Sequence, residues 1–167
     1  MEIKDLRGWL VHNLQDLYSA ENMVLAALPQ MEQAASDQQL KQAFKMHREQ
    51  TQQQVQRLEE AFEKLGEQPD TSVTCKGMEG LVKEGEEVLK KKAEIPAEVL
   101  DAALIESAQK VEHYEIAAYG SAAAYANSLQ ERRVANLMKE TLDEERETDK
   151  KLTKLAEDGI NRQAKSG

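Results

Sequence analysis

The chain has 167 residues, 40% of them hydrophobic and 32% charged, which suits one core inside a heavily solvated surface. Its formal net charge of −9 argues against sequence-independent binding to DNA or RNA, which needs a basic face, and against an anionic membrane surface. Cations are the more natural partners. The lone Cys75 has no second cysteine to pair with, the polar start Met1-Glu2-Ile3-Lys4-Asp5 lacks a signal-peptide core, and no apolar run would span a bilayer. These features predict a cytoplasmic protein. Aromatic residues make up only 4%, and the abundance of Ala, Gln, Glu, Lys and Leu favours helices, where straight side chains lose little rotamer freedom.

In chain order, Leu10, Leu14, Leu17, Val24, Leu28 and Met31 recur in steps of three and four and predict a first helix over Glu2–Ala34, bent at Pro29. Ser36 with Gln39 has the pattern of a capping box for a second helix. That helix carries Leu40, Phe44, His47, Thr51, Val55, Leu58, Phe62 and Leu65 and ends at Gly66. The run Gln50–Gln56 reads as a solvated face with a few packing positions. A looser stretch leads to a short helix over Lys76–Lys92, weakened by Gly80 and Gly85. Pro96 suits the first turn of a third long helix with the stripe Val99, Ile105, Ala108, Glu112, Glu115, Tyr119 and Ala122. Ser128 with Glu131 is a second capping box, opening a fourth long helix with Val134, Met138, Thr141, Glu145, Thr148, Leu152 and Leu155. One domain over residues 1–160 and a polar, frayed tail over 161–167 are expected.

Two helical hairpins thus flank a long connection, Glu67–Ile95. A 28-residue helix is roughly 42 Å long, and crossing back along it needs such a segment. Short loops within each pair and one long crossover between pairs describe an all-α, ferritin-like four-helix bundle whose crossover carries one short extra helix.

Acids interrupt the apolar stripes. Glu21 sits between Leu17 and Val24, Glu112 and Glu115 share one face, Glu145 lies between Thr141 and Thr148, and His47 is the polar intruder on the second helix. Within each hairpin their heights agree to about one turn, ~5 Å, and between hairpins to nearer two. A single glutamate on such a stripe often reaches solvent at a bundle edge. Several at one height would be costly to bury without a proton or a cation. Carboxylates plus one imidazole suit hard or borderline cations such as iron or manganese.

The strings Asp16-Leu17-Tyr18-Ser19-Ala20-Glu21, Cys75-Lys76-Gly77-Met78-Glu79-Gly80-Leu81, Asp101-Ala102-Ala103-Leu104-Ile105, Gln109-Lys110-Val111-Glu112-His113-Tyr114-Glu115-Ile116-Ala117 and Lys139-Glu140-Thr141-Leu142-Asp143-Glu144-Glu145 resemble the YciE/YciF-type ferritin-like proteins. The resemblance runs to about Ala156. It implies a rubrerythrin-like fold, a bacterial stress response and a homodimer. The two glutamates three apart on the rubrerythrin-like third helix fall on Glu112 and Glu115. Ferritin-like di-iron sites carry Glu-x-x-His on the second and fourth helices. Here Phe44 stands where the first glutamate would be and Thr148 where the second histidine would be, Gln50 replaces an acid, and Asp149 or Glu144 is a substitute ligand.

The expected ligands are therefore Glu21, His47, Glu112, Glu115, Glu145 and Asp149, around two ions of iron or manganese, or one, with dioxygen or peroxide as reaction partners. The competing expectation is a non-enzymatic structural or partner-binding module with a degenerate site. His113 is expected beside the site or at the surface, and His12 in solvent. Trp9 is expected to close a bundle end or an interface, and Cys75 to be an inert small hydrophobe.

Overall fold

The computed structural model describes residues 3–165. The long helices are α1 (Leu6–Ala34), α2 (Gln38–Leu65), α4 (Ala97–Ser128) and α5 (Arg132–Leu155), with a short α3 (Lys76–Lys90) in the crossover. Chain-adjacent helices α1 and α2, and α4 and α5, pack side by side. The pairs are joined through α1 against α4 and α2 against α5, while α3 lies over α1 and α4. Every neighbouring pair of long helices is antiparallel: Arg133 at the start of α5 meets Glu60 near the end of α2, and Asp101 at the start of α4 meets Ser36 just beyond α1. This is the ferritin-like bundle. Among the described residues no helix is long and apolar enough to cross a membrane.

Helix ends differ from expectation in three places. α1 begins at Leu6, capped by the Asp5 side chain on Gly8 N at 2.7 Å, and the anticipated start at Glu2 lies outside the described residues. α2 is capped by Asp37, which accepts from Gln39 N and Leu40 N, rather than by Ser36. Ser128 ends α4 with its hydroxyl turned back to Ala124 O, and α5 starts without a side-chain cap after Gln130, whose φ of 61° lies in the left-handed region. Helix continues through Pro29 to Ala34. Beyond α5 a π-helical turn (Ala156–Ile160) and a short α6 (Asn161–Lys165) pack along α4; a frayed tail was expected over 161–167, and of it Ser166 and Gly167 lie outside the described residues.

Ser36 is unavailable as a cap because Asp101 holds it. The Asp101 carboxyl, 3% exposed, accepts from Ser36 N at 2.7 Å, Ser36 Oγ at 2.5 Å and Asp37 N at 2.8 Å. One side chain from the first turns of α4 thereby satisfies the backbone of the α1–α2 turn and ties the two hairpins together. Val99 is 37% exposed, and Leu100 and Leu104 take the core positions assigned to its stripe.

The crossover helix is fixed at its N-terminus. The buried Cys75 Sγ accepts from Met78 N and lies 3.0 Å from both Asp16 Oδ2 and Tyr114 Oη, while Tyr114 Oη donates to Asp16 Oδ2 at 2.6 Å. Burial raises the thiol pKa, so Cys75 is a protonated structural group. Gly77 is required beside it, since a Cβ there would sit 2.7 Å from the Tyr114 ring.

Replacing Asp101 by alanine strips the partners from two turn N–H groups and is expected to cost about 3 kcal/mol, since bonds to carboxylates and orphaned buried donors are each worth ~1–3 kcal/mol. Urea unfolding of Asp101→Ala beside Val99→Ala, which should fall within about 1 kcal/mol of wild type, checks this.

Candidate metal centre

The bundle core is two apolar clusters with a polar layer between them. One holds Leu10, Leu14, Leu17, Leu58, Phe62 and Met138. The other holds Val24, Leu28, Leu40, Phe44, Leu104 and Leu152. Each helix contributes to the layer at the point where its stripe turns polar: Glu21 from α1, His47, Thr51 and Gln54 from α2, Glu112 and Glu115 from α4, and Thr141 and Glu145 from α5, all buried. Glu21, Glu115 and Glu145 are 0% exposed.

His47, Glu112, Glu115 and Glu145 each offer a ligand atom within 4.8 Å of the others. His47 Nε2 is 3.1 Å from Glu112 Oε1 but out of line for a hydrogen bond, so both ring nitrogens lack a hydrogen-bonding partner. Glu112 Oε2, both oxygens of Glu115, Glu145 Oε2 and Glu21 Oε2 also lack one. Among the described residues, every buried side-chain polar atom without a partner belongs to this layer except Asn13 Oδ1. Native interiors rarely leave such atoms unpaired, and a cluster of them aimed at one point fits a cation.

Glu21 stands at the edge of the tight group, with Oε1 accepting from Tyr119 Oη. Asp149 is not brought in: it accepts from Gln109 Nε2 at 3.0 Å and faces the exposed His113 at 3.3 Å. Glu144 is turned away as well, gripped by both Arg57 nitrogens at 2.6 and 2.7 Å. Phe44 is buried in the apolar cluster above the layer, and Thr148 is half-buried. His12 is exposed against Trp9, whose ring lies 5.2 Å away.

Gln54 was missed from the sequence. Its amide donates to Glu145 Oε1 and, at 3.0 Å, to Glu144 Oε2. It had been hidden in a glutamine-rich run read as solvated, with Val55 placed on the stripe instead. The buried series is 47, 51, 54, 58, and Val55 is only half-buried. Thr51 Oγ1 donates to His47 O at 2.9 Å, and Arg57 donates to Thr141 Oγ1 at 3.3 Å.

Burial raises the pKa of every carboxyl in the layer, and their mutual repulsion raises most of them further. Glu21 is pushed up to about 8 by desolvation and Glu145 against the pull of the Tyr119 hydroxyl. Glu112 is pushed up to about 7 by desolvation, opposed by the neighbouring Glu145 carboxyl. Glu115 and Glu145 lie well above the ordinary carboxyl range, again chiefly through desolvation. Tyr119 is raised by burial and by Glu21 and Glu115, so it stays a hydroxyl donor. Without a cation the layer keeps its acids largely protonated at neutral pH. With one, they become ionised ligands and release protons.

The fold and site together define a ferritin-like bundle with a buried histidine–carboxylate centre. Residues 5–165 match the family described as a domain of unknown function, DUF892, and the chain belongs to that family. It is 43% identical over 166 residues to Protein YciF of Escherichia coli strain K12, covering 99% of each chain. The crystal structure of that E. coli stress protein superimposes with a TM-score of 0.90 over 95% of this chain and 99% of the other. The YcfI protein of Rhodopseudomonas palustris is 38% identical, with a TM-score of 0.86 over 91% and 95% of the two chains. A Xanthomonas campestris protein at 23% identity and a TM-score of 0.70, over 92% of each chain, shares the fold.

Raised carboxyl pKa values fix the sign of the pH dependence. Between the ordinary value of 4.5 and the folded values near 7 and 8, the folded state holds protons that the unfolded chain has released. Stability contributed by these groups is complete below about 4.5 and is lost as pH rises through about 8. Surface acids held low by cations, such as Glu60 beside Arg133 and Asp143 beside Lys139, work the other way only in the acid range. Calorimetry in chelator should therefore show the melting temperature falling from pH 5.5 to 8.5, and added ferrous or manganous ion should reverse that slope.

Proposed function

We propose that this chain is a metal-binding carboxylate protein of a bacterial stress response, holding iron or manganese in the polar layer. The observation that carries the reading is the convergence of unpartnered, buried ligand atoms from His47, Glu112, Glu115 and Glu145. The role in stress is inferred from the E. coli relative, whose structure is that of a stress protein. His47 would supply the nitrogen ligand, and Glu115, with both oxygens unpaired, would be a carboxylate ligand. Glu21 would add a further oxygen while Tyr119 holds its other one. Redox-active ions held there would supply electron exchange with peroxide or dioxygen. The residues orient and shield: Gln54 fixes Glu145, Arg57 draws Glu144 away, and the apolar clusters cover the layer above and below. A homodimer belongs to this reading, with exposed Ile3, Leu6 and Trp9 at the start of α1 as apolar surface to cover.

The occupied alternatives favour a second reading. Glu144 is committed to Arg57, Asp149 to Gln109, and Phe44 replaces an acid, so the set is smaller than a full two-metal shell. A single ion, or a centre that stabilises the bundle without turnover, follows from that count.

Titrating metal-free protein with ferrous iron under nitrogen and then admitting air separates the readings. Two equivalents bound, with oxidation well above the buffer rate, support the first. One equivalent without oxidation supports the second, and no binding removes both.

Glu115→Gln keeps the shape but removes the ionisable group, so the metal-free variant should be more stable than wild type at pH 8, where a carboxyl raised by burial costs stability. The same change should abolish the stabilisation given by metal. Paired melting curves with and without metal read both effects.

A further inference from the structure

The crossover helix does not seal the bundle beneath it. Between α3, α1 and α4 lies a cavity of about 230 Å³ with apolar walls from Met23, Val24, Leu28, Met31, Leu81 and Val82. Its lining includes His47 and Glu112, so it reaches the polar layer. The side chains of His47 and Glu112 at that depth give an otherwise oily space a polar end. A second gap, between α2 and α5, also reaches His47 and Glu112, but it passes Gln50, Lys150 and Lys151 and is the wetter approach.

Gly85 helps to keep the first space open. It sits inside α3, where glycine is a poor helix former, and an added Cβ would meet only Ser107 at 3.9 Å. A larger side chain at this position would enter the cavity that Gly85 lines.

We propose that this cavity binds a small neutral molecule with an aliphatic or aromatic body and one polar head, seated with the head at His47 and Glu112. Size, lining and charge converge on that class. An apolar cavity of ~150 Å³ takes up benzene, so the volume here admits a somewhat larger body. The lining holds Glu86 and Glu112 and, among the described residues, no lysine or arginine, which repels an anion. A cation would lose its hydration against the apolar walls. The inference deepens the metal-centre reading by naming its ligand class. Any chemistry on the ligand rests on that reading, whereas binding is a property of the cavity itself.

The probe is hexan-1-ol, added to metal-free protein carrying ¹³C-methyl methionine, with hexanoate and hexylammonium as charged controls of the same tail. Saturable shifts at the Met23 and Met31 methyls are expected, with the alcohol at least tenfold tighter than either ion. Gly85→Leu should fill the space and weaken hexan-1-ol at least tenfold. Gly80→Leu, the same change on an exposed part of α3 with open space around it, should leave binding unchanged. No saturable shift, equal binding of the charged controls, or undiminished binding in Gly85→Leu would overturn the proposal. Sedimentation at the same concentration adds one more outcome: a dimer that Gly85→Leu dissociates, with no alcohol bound by wild type, assigns the cavity to a second copy and also overturns it. Metal stoichiometry measured on the same samples keeps the two ideas apart, because metal bound without alcohol sinks only this inference, and alcohol bound without metal sinks only the centre.

Discussion

Placing acids from three helices and an imidazole from the fourth inside one dry layer is the constraint around which the rest of the bundle is organised. Water solvates a carboxylate far better than a helical core can, so each of these groups must hold a proton, find a hydrogen-bond donor or bind a cation. The local donors are few. Tyr119 serves Glu21 and Gln54 serves Glu145, while Arg57 is spent on Glu140 and Glu144. What is left over is a cluster of carboxyls and an imidazole with no fixed donor from outside the layer, and that chemistry suits a metal ion better than it suits a packed core.

The surrounding structure holds that layer in register. Asp101 locks the start of α4 against the α1–α2 turn, which sets how far the second hairpin is shifted along the first. The Cys75–Asp16–Tyr114 contacts pin the crossover helix to α1 and α4 at the same time. Neither device uses a member of the layer, yet each fixes the relative height of helices that carry its members.

The helical hairpins and most core stripes were legible in the sequence because a 3.6-residue period is a local property. The height match between hairpins was less so, since it depends on Asp101 reaching across 65 residues to Ser36 and on where the crossover docks. Both proposed capping boxes failed for a related reason. Ser36 had a stronger tertiary partner, and Ser128 was still inside α4, with its hydroxyl satisfied by the preceding turn. Glu112, Glu115, Glu145 and His47 could be picked out as charges on apolar stripes. Gln54 could not, because a neutral amide among glutamines carries no such contrast. Asp149 was expected as a substitute for the histidine missing at Thr148, but its carboxyl is held by Gln109 and faces the exposed His113.

The polar layer also divides the aliphatic interior. One apolar cluster is built from the start of α1, the end of α2, the end of α4 and the start of α5, and the other from the opposite ends together with α3. Helical backbone runs through both, but side-chain cohesion between them passes through a band of protonated acids. Such an arrangement would let the two halves open separately when the acids are neutral. An ion ligated from all sides would couple them, so that cooperativity of unfolding, and not stability alone, becomes a property that metal supply controls.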